Sequence, residues 1–381
     1  MAGIKDKTAI VGIGETEYSI NSGRSEVSLA CEAVLAALAD AGLTRNDVDG
    51  MVRFAEESTS EALICTTLGI PNLRFFGTVG YGGGGSHGIV AHAAMAVAAG
   101  VADTVVCYRS VNGYSARGGG RGAGDRANYG ERNFGDPFGL LAPPQYYAIM
   151  AQRHMYDYGT TSRQFGAVAV AARKHAMRNP RAQMREPITL DDHQNSRLIA
   201  DPFRLLDCCL QTDGACAVVV TSAERARNLR QRAAYILSAA QGTGFLPCAG
   251  HNRPSLAIMT QAQQTAQELF RVAEVAPKDI KVAEFYDHFS FFPIVTLEAF
   301  GFCGIGEGGP FVENGRIELG GQLPVNTHGG LLSEGYMQGL NHVLEATRQI
   351  RGTSTAQVEG ADLVLSAGAA MEPSSAVILR R

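Results

Sequence analysis

The sequence has little excess charge of either sign: 33 Lys and Arg stand against 37 Asp and Glu, a formal net charge of −4. A nucleic-acid partner calls for a basic footprint, so this balance argues against that class. No run of about 20 uninterrupted apolar residues occurs, which is the length a membrane-crossing helix needs. The first residues lack the basic, apolar and small-residue order of a secretory signal. The eight cysteines form no Cys-x-x-Cys pair and no Cys/His ligand spacing, and the adjacent Cys208 and Cys209 are poorly placed for a simple disulfide. Together these absences predict a reduced, cytoplasmic protein without a structural metal. Charged residues are only 18% and apolar residues 45%, so a large core is available. A length of 381 residues leaves room for two domain-sized units or one large duplicated one.

What is abundant is glycine, 45 residues without a collagen period, marking turns and close backbone approaches. The first third alternates strand and helix signals. Thr8 to Gly12 reads as a strand, Ser25 to Ala41 as a helix stopped by Gly42, and Arg74 to Val79 as a strand. A glycine run, GGGGSHG at 82–88, then opens an alanine-rich helix, and Ala102 to Tyr108 is again a strand. This β–loop–α–β unit predicts parallel strands. Residues 110–212 change character and read as an insertion over the core, with helices near 145–158 and 162–178. From Ala234 the same grammar returns: helices at 256–273, 291–300 and 336–350, and strands at 281–286, 362–366 and 375–379. The expected division is a first half, 1–230, carrying the insertion, and a second half, 231–381.

Four blocks, AHAAMAVAAGVADTVVCY, LLDCCLQTDGACAVVVTS, FYDHFSFFPIVTLEAFGFC and NTHGGLLSEGYMQGLNHVLEATRQIRG, resemble in order the sterol-carrier-protein type of thiolase. The resemblance implies an α/β thiolase fold, two similar halves in a five-layer αβαβα core with a loop-domain insertion, and a tight homodimer. The departures are informative. The thiolase nucleophile falls in the glycine run, at Gly83, and no cysteine lies near it, so the usual acyl-enzyme cannot form. Tyr286 stands for the histidine of the HDCFS segment and Tyr336 for that of the Gly-His-Pro segment. The carboxy-terminal acid/base cysteine has no counterpart in SAGAAMEPSS. In this the chain resembles the thiolase-like aldolases of bacterial steroid side-chain degradation, sometimes named lipid-transfer proteins. That resemblance implies a partner with an OB-fold and a zinc ribbon in an α2β2 assembly, and a coenzyme A thioester as substrate with no separate cofactor.

A retro-aldol cleavage needs a base for a β-hydroxyl proton, a holder for enolate charge and an acid for the enolate carbon. The expected function is therefore an acyl-CoA aldolase that splits a bulky β-hydroxyacyl-CoA, a steroid thioester, into propionyl-CoA and a ketone. Tyr286 and Tyr336 form the acid/base pair, with the roles unassigned. A phenol of pKa about 10 needs a cation or a relay to act as base. His288, His328 and His87 are the candidate neighbours, while Asp287, in a strand, should face away from Tyr286. The helix start after the glycines offers free N–H groups for an oxygen, and Asn326 and His328 of NTHGG match the family's oxyanion region. Ser86 and His87, adjacent at a helix start, should point apart and so form no hydrolase pair. His288 reads equally as a packing residue. Arg117, Arg121 and Arg126 read either as coenzyme A phosphate ligands or as a solvated loop. The alternatives to an aldolase are a non-catalytic lipid or acyl-CoA carrier and an atypical thiolase or acyltransferase.

Overall fold

The first strand, β1 (Thr8–Glu15), carries glycine at two inward positions where a side chain has no room. A Cβ on Gly12 would overlap the carbonyl of Ala37, and one on Gly14 would overlap Ala33 and Ala37. Those residues belong to the helix Glu26–Ala41, which therefore lies almost against the strand backbone. The helix is capped by Ser25, whose side chain accepts from the Ser28 N–H, and ends at Gly42 with φ 73°. Both ends fall where the sequence pattern puts them.

This computed structural model describes residues 2–80, 83–116, 135–243, 255–370 and 373–381. Arg117, Arg121 and Arg126 lie outside the described residues. The remaining strands are β2 (Gly50–Phe54), β3 (Phe75–Val79), β4 (Thr104–Asn112), β5 (Leu198–Ala200), β6 (Phe203–Arg204), β7 (Asp213–Ser222), β8 (Ala234–Gly242), β9 (Val282–Phe285), β10 (Leu363–Gly368) and β11 (Ser374–Arg380). Nine of them form one mixed sheet in the order β3-β2-β4-β7-β1-β8-β11-β10-β9.

The duplication is visible in that order. Outward from the centre, β1 and β7, then β7 and β4, pair antiparallel, and β4, β2 and β3 run parallel. On the other side β8 and β11, then β11 and β10, pair antiparallel, and β10 and β9 run parallel. A parallel bridge from Ala283 to Val325 stands where a fifth strand would follow. Among the described residues the two sets pair through Ala9–Tyr235 and Ile10–Ala234. β3 and β4 are parallel as expected, but β2 lies between them, a strand the sequence pattern did not mark.

Layers follow from what the helices touch. The helix Glu26–Ala41 covers β1, β4 and β7, and the helix Thr260–Ala273 covers β8 and β11. Between the two strand sets run the helices Gly88–Ala98 and Leu340–Arg351, each in contact with strands of both sets. The alanine-rich composition of the first suits burial on all sides. The second is buried along nearly its whole length although it carries His342, Glu345, Arg348 and Gln349. The insertion contributes the helices Pro143–Tyr158 and Ser162–Ala176 and the small β5–β6 hairpin. Among the described residues no helix is long and apolar enough to cross a membrane.

Candidate active site

Tyr286 follows β9 directly, and its N–H donates to the Ala367 carbonyl of β10 at 3.0 Å. Tyr336 sits in the turn before the helix Leu340–Arg351, its N–H donating to Thr212 Oγ1 at 2.8 Å. The two phenol oxygens lie 2.8 Å apart, within hydrogen-bond distance. Two residues 50 positions apart in sequence are thus joined at their reactive ends.

The glycine at the nucleophile position explains how that fits. A Cβ built on Gly83 would overlap the hydroxyl-bearing ring carbon of Tyr286 and the hydroxyl itself. The tyrosine therefore occupies the space a nucleophile side chain would need. Gly339 and Gly368 seal the same spot: a Cβ on Gly339 would approach Ser86 Oγ to 2.7 Å and the Tyr286 ring to 3.2 Å, and one on Gly368 would reach His87 Nδ1 at 2.9 Å.

Burial lifts both phenols above their ordinary pKa, so both are protonated at neutral pH. The hydrogen bond between them works in opposite senses, raising Tyr286 and lowering Tyr336. Either hydroxyl can be the donor of that bond. The Arg109 guanidinium also lowers Tyr336, and Glu56 raises it.

The other expected residues divide into those near the tyrosines and those drawn elsewhere. His288 packs its ring on that of Tyr286, centroids 4.5 Å apart. Ser86 and His87 lie beneath Tyr286, and here the expectation fails, because the two side chains meet: Ser86 Oγ is 3.1 Å from His87 Nδ1. The start of the helix is wound so that both turn inward. They still make no nucleophile pair. Ser86 Oγ donates to the Gly83 carbonyl at 2.8 Å, and His87 Nε2 is held by Ser366 Oγ at 2.7 Å. Burial pushes His87 well below the usual imidazole range.

The side chains of Asn326 and His328 bond to partners other than the tyrosines. Asn326, at φ 54°, turns its amide onto Phe285, accepting from its N–H at 2.7 Å and donating to its carbonyl at 2.9 Å. It mimics a strand neighbour and fixes the residue before Tyr286. His328 is fully buried with Nδ1 3.0 Å from Glu284 and Nε2 3.5 Å from Glu334. Burial alone would lower its pKa, but those carboxylates outweigh it and raise it to about 10. His328 is a structural cation. Asp287 is not in a strand, since β9 ends at Phe285. Its carboxylate accepts from the Leu331 N–H at 2.8 Å and lies 3.1 Å from His342 Nε2.

Several positioning residues were missed by sequence reasoning. The strip 207–212 runs between the two tyrosine-bearing loops. Asp207 accepts from Ser290 Oγ at 2.5 Å, the Cys209 N–H donates to the His288 carbonyl at 3.0 Å, and Thr212 holds Tyr336. On the far side Gln338 donates to Glu56, and the buried Arg109 pairs with Glu57 at 3.1 Å. The only available signal for these was the density of polar residues in otherwise apolar blocks.

The family model described as Thiolase C-terminal domain-like matches residues 248–381. The 17-hydroxy-3-oxo-4-pregnene-20-carboxyl-CoA lyase of Mycobacterium tuberculosis is 47% identical over 99% of this chain and 100% of its own. The chain belongs to the thiolase-fold aldolases. A steroid side-chain-cleaving aldolase of Thermomonospora curvata is 46% identical over 100% of this chain and 99% of its own. A solved structure described as the Ltp2-ChsH2(DUF35) aldolase, 47% identical, superposes with a TM-score of 0.93 over 99% of this chain and 98% of that one. Human mitochondrial 3-ketoacyl-CoA thiolase, at 13% identity, superposes with a TM-score of 0.71 over 98% of both chains, which shows the shared thiolase fold. This member of the aldolases is accordingly a carbon–carbon lyase.

Proposed function

We propose that the chain cleaves the side chain of a steroid β-hydroxyacyl-CoA by a retro-aldol reaction run through the Tyr286–Tyr336 pair. The relatives' names fix the bond. In a 17-hydroxy steroid with a 20-carboxyl-CoA the hydroxyl is β to the thioester, so cleavage between those carbons leaves a 17-ketone and propionyl-CoA.

The paired phenol oxygens, 2.8 Å apart, carry this reading. With both phenols protonated at rest, the proton moves by relay. The β-hydroxyl gives its proton to the Tyr286 oxygen as Tyr286 passes its own to Tyr336. Tyr336 in turn delivers its hydroxyl proton to the α-carbon. The Cα–Cβ bond breaks, the β C–O bond becomes a carbonyl, and the α-carbon gains hydrogen, with no net charge left on the protein. In this relay Tyr286 is the base and Tyr336 the acid.

The closely matching aldolase structure, whose description joins Ltp2 to ChsH2(DUF35), supports a partner chain. The reading includes an OB-fold and zinc-ribbon partner that completes the acyl-CoA site in an α2β2 assembly built on a homodimer. Tyr286→Phe and Tyr336→Phe, each assayed for propionyl-CoA release with the partner present, test the mechanism. Each is expected to lose about 10²-fold to 10⁴-fold in kcat with the thermal midpoint retained, the range for a lost acid or base. Wild-type rates in both variants would overturn it, and tight acyl-CoA binding without turnover in the wild-type complex would favour a carrier.

A further inference from the structure

His288 is one of seven buried histidines among the described residues. The other six each have a ring nitrogen held by a neighbour. His288 has both ring nitrogens buried and neither bonded. Buried polar groups are almost always paired, so a doubly unpaired imidazole calls for a cause. Its surroundings make plain packing a poor one. The ring lies between Phe292, centroids 4.0 Å apart, and Tyr286, 4.5 Å apart, with Tyr147 edge-on at 4.6 Å. A phenyl ring would fill that slot without burying two polar atoms.

The reaction leaves one task unassigned. Retro-aldol cleavage turns the thioester oxygen into an enolate oxygen, and a donor must meet it in a water-poor site. The tyrosine hydroxyls are committed to the proton route. Asn326 is spent on the Phe285 backbone, His328 on Glu284, and Ser86 and His87 on each other and on Gly83 and Ser366. Of the polar side chains expected at this site, His288 is the one left uncommitted, and it touches the reacting tyrosine.

We propose that His288 binds the thioester oxygen of the substrate through its ring N–H and holds the enolate that forms there, setting the α-carbon against the tyrosine pair. This rests on the aldolase reading. Burial keeps the ring neutral, its pKa well below the ordinary range. A neutral imidazole donates a hydrogen bond to an oxyanion without surrendering its proton, so it polarises the thioester and does not compete in the relay.

His288→Phe keeps the aromatic slot and removes both nitrogens, and His288→Gln restores a donor. Two reactions are read with the partner present: cleavage of the β-hydroxyacyl-CoA, and, with the ketone product present as proton acceptor of the reversed relay, exchange of the α-hydrogens of propionyl-CoA for deuterium in D2O, followed by mass. The expected result for His288→Phe is an unchanged or higher thermal midpoint and a loss of roughly 10²-fold or more in kcat for both reactions, the scale of one lost oxyanion donor. KM is expected within about threefold, and His288→Gln should regain at least about a tenth of wild-type kcat. A folded His288→Phe variant with wild-type kcat in both reactions overturns the assignment. So does a folded His288→Gln variant as impaired as His288→Phe. If His288→Phe does not fold, the imidazole is needed without substrate and the assignment is likewise overturned. Exchange in the wild type without cleavage would instead defeat the aldolase reading while leaving the enolate donor in place.

Discussion

At the residue scale the site is defined by a steric exchange. Gly83 is required because Tyr286 fills the volume beside it, and the requirement can be measured. Gly83→Ala is expected to destabilise the fold by about 1–3 kcal/mol, the usual cost of overpacking. In a Tyr286→Ala background the same substitution should cost far less, and urea titration of the four chains of this cycle gives the coupling. The pH profile bears on the relay. Both phenols are raised by burial, while His87 and His288 are pushed down, so none of these four groups changes charge near neutrality. kcat is expected to stay flat from about pH 6.5 to 9. A rate climbing tenfold per unit through that range would mean a free phenolate is the base.

At the scale of elements, the loop that carries Tyr336 is tied down by buried charge. His328 contacts Glu284 of β9 and Glu334, two residues before Tyr336, and Glu334 also accepts from Asn179 and Asn341 at 2.8 and 2.9 Å. His328 has a folded pKa of about 10, above the value of about 6.5 for a free histidine. Its proton therefore stabilises the fold fully below pH 6.5, and that contribution is lost as pH rises toward 10. Denaturant titration should show stability falling by a few kcal/mol between about pH 7 and 10. Removing one partner leaves buried carboxylates uncompensated, so His328→Ala is expected to lower stability by roughly 3–5 kcal/mol.

The same scale shows what the sequence could and could not disclose. Helix ends at Ser25 and Gly42, the glycine-run helix and the closing strands were legible because caps and periodicity are local. β2 was not, since GMVRF is too short to show a period and is recognised only by the neighbours it pairs with. The tyrosine pair was legible through family motifs. The partners of Asn326 and His328 were not, because which way a loop side chain turns depends on residues far along the chain, Phe285 and Glu284.

For the whole molecule, among the described residues, β3 is an edge strand with β2 on one side only, and Phe76 on it is 65% exposed. An open edge strand with an exposed aromatic is a template for another chain. The homodimer proposed above would be seated there. Light scattering of the wild-type protein should give twice the chain mass, and Phe76→Glu should shift the population toward the monomer. A monomeric wild type would remove the homodimer from the proposed assembly.

The overlap between a side chain at position 83 and the ring at position 286 also limits how such a site arises. A chain with a cysteine at 83 has no room for tyrosine at 286 in this pose. Restoring a side chain at 83 displaces the ring at 286, and with it the hydroxyl that meets Tyr336, so the old nucleophile and the new pair exclude one another within one chain.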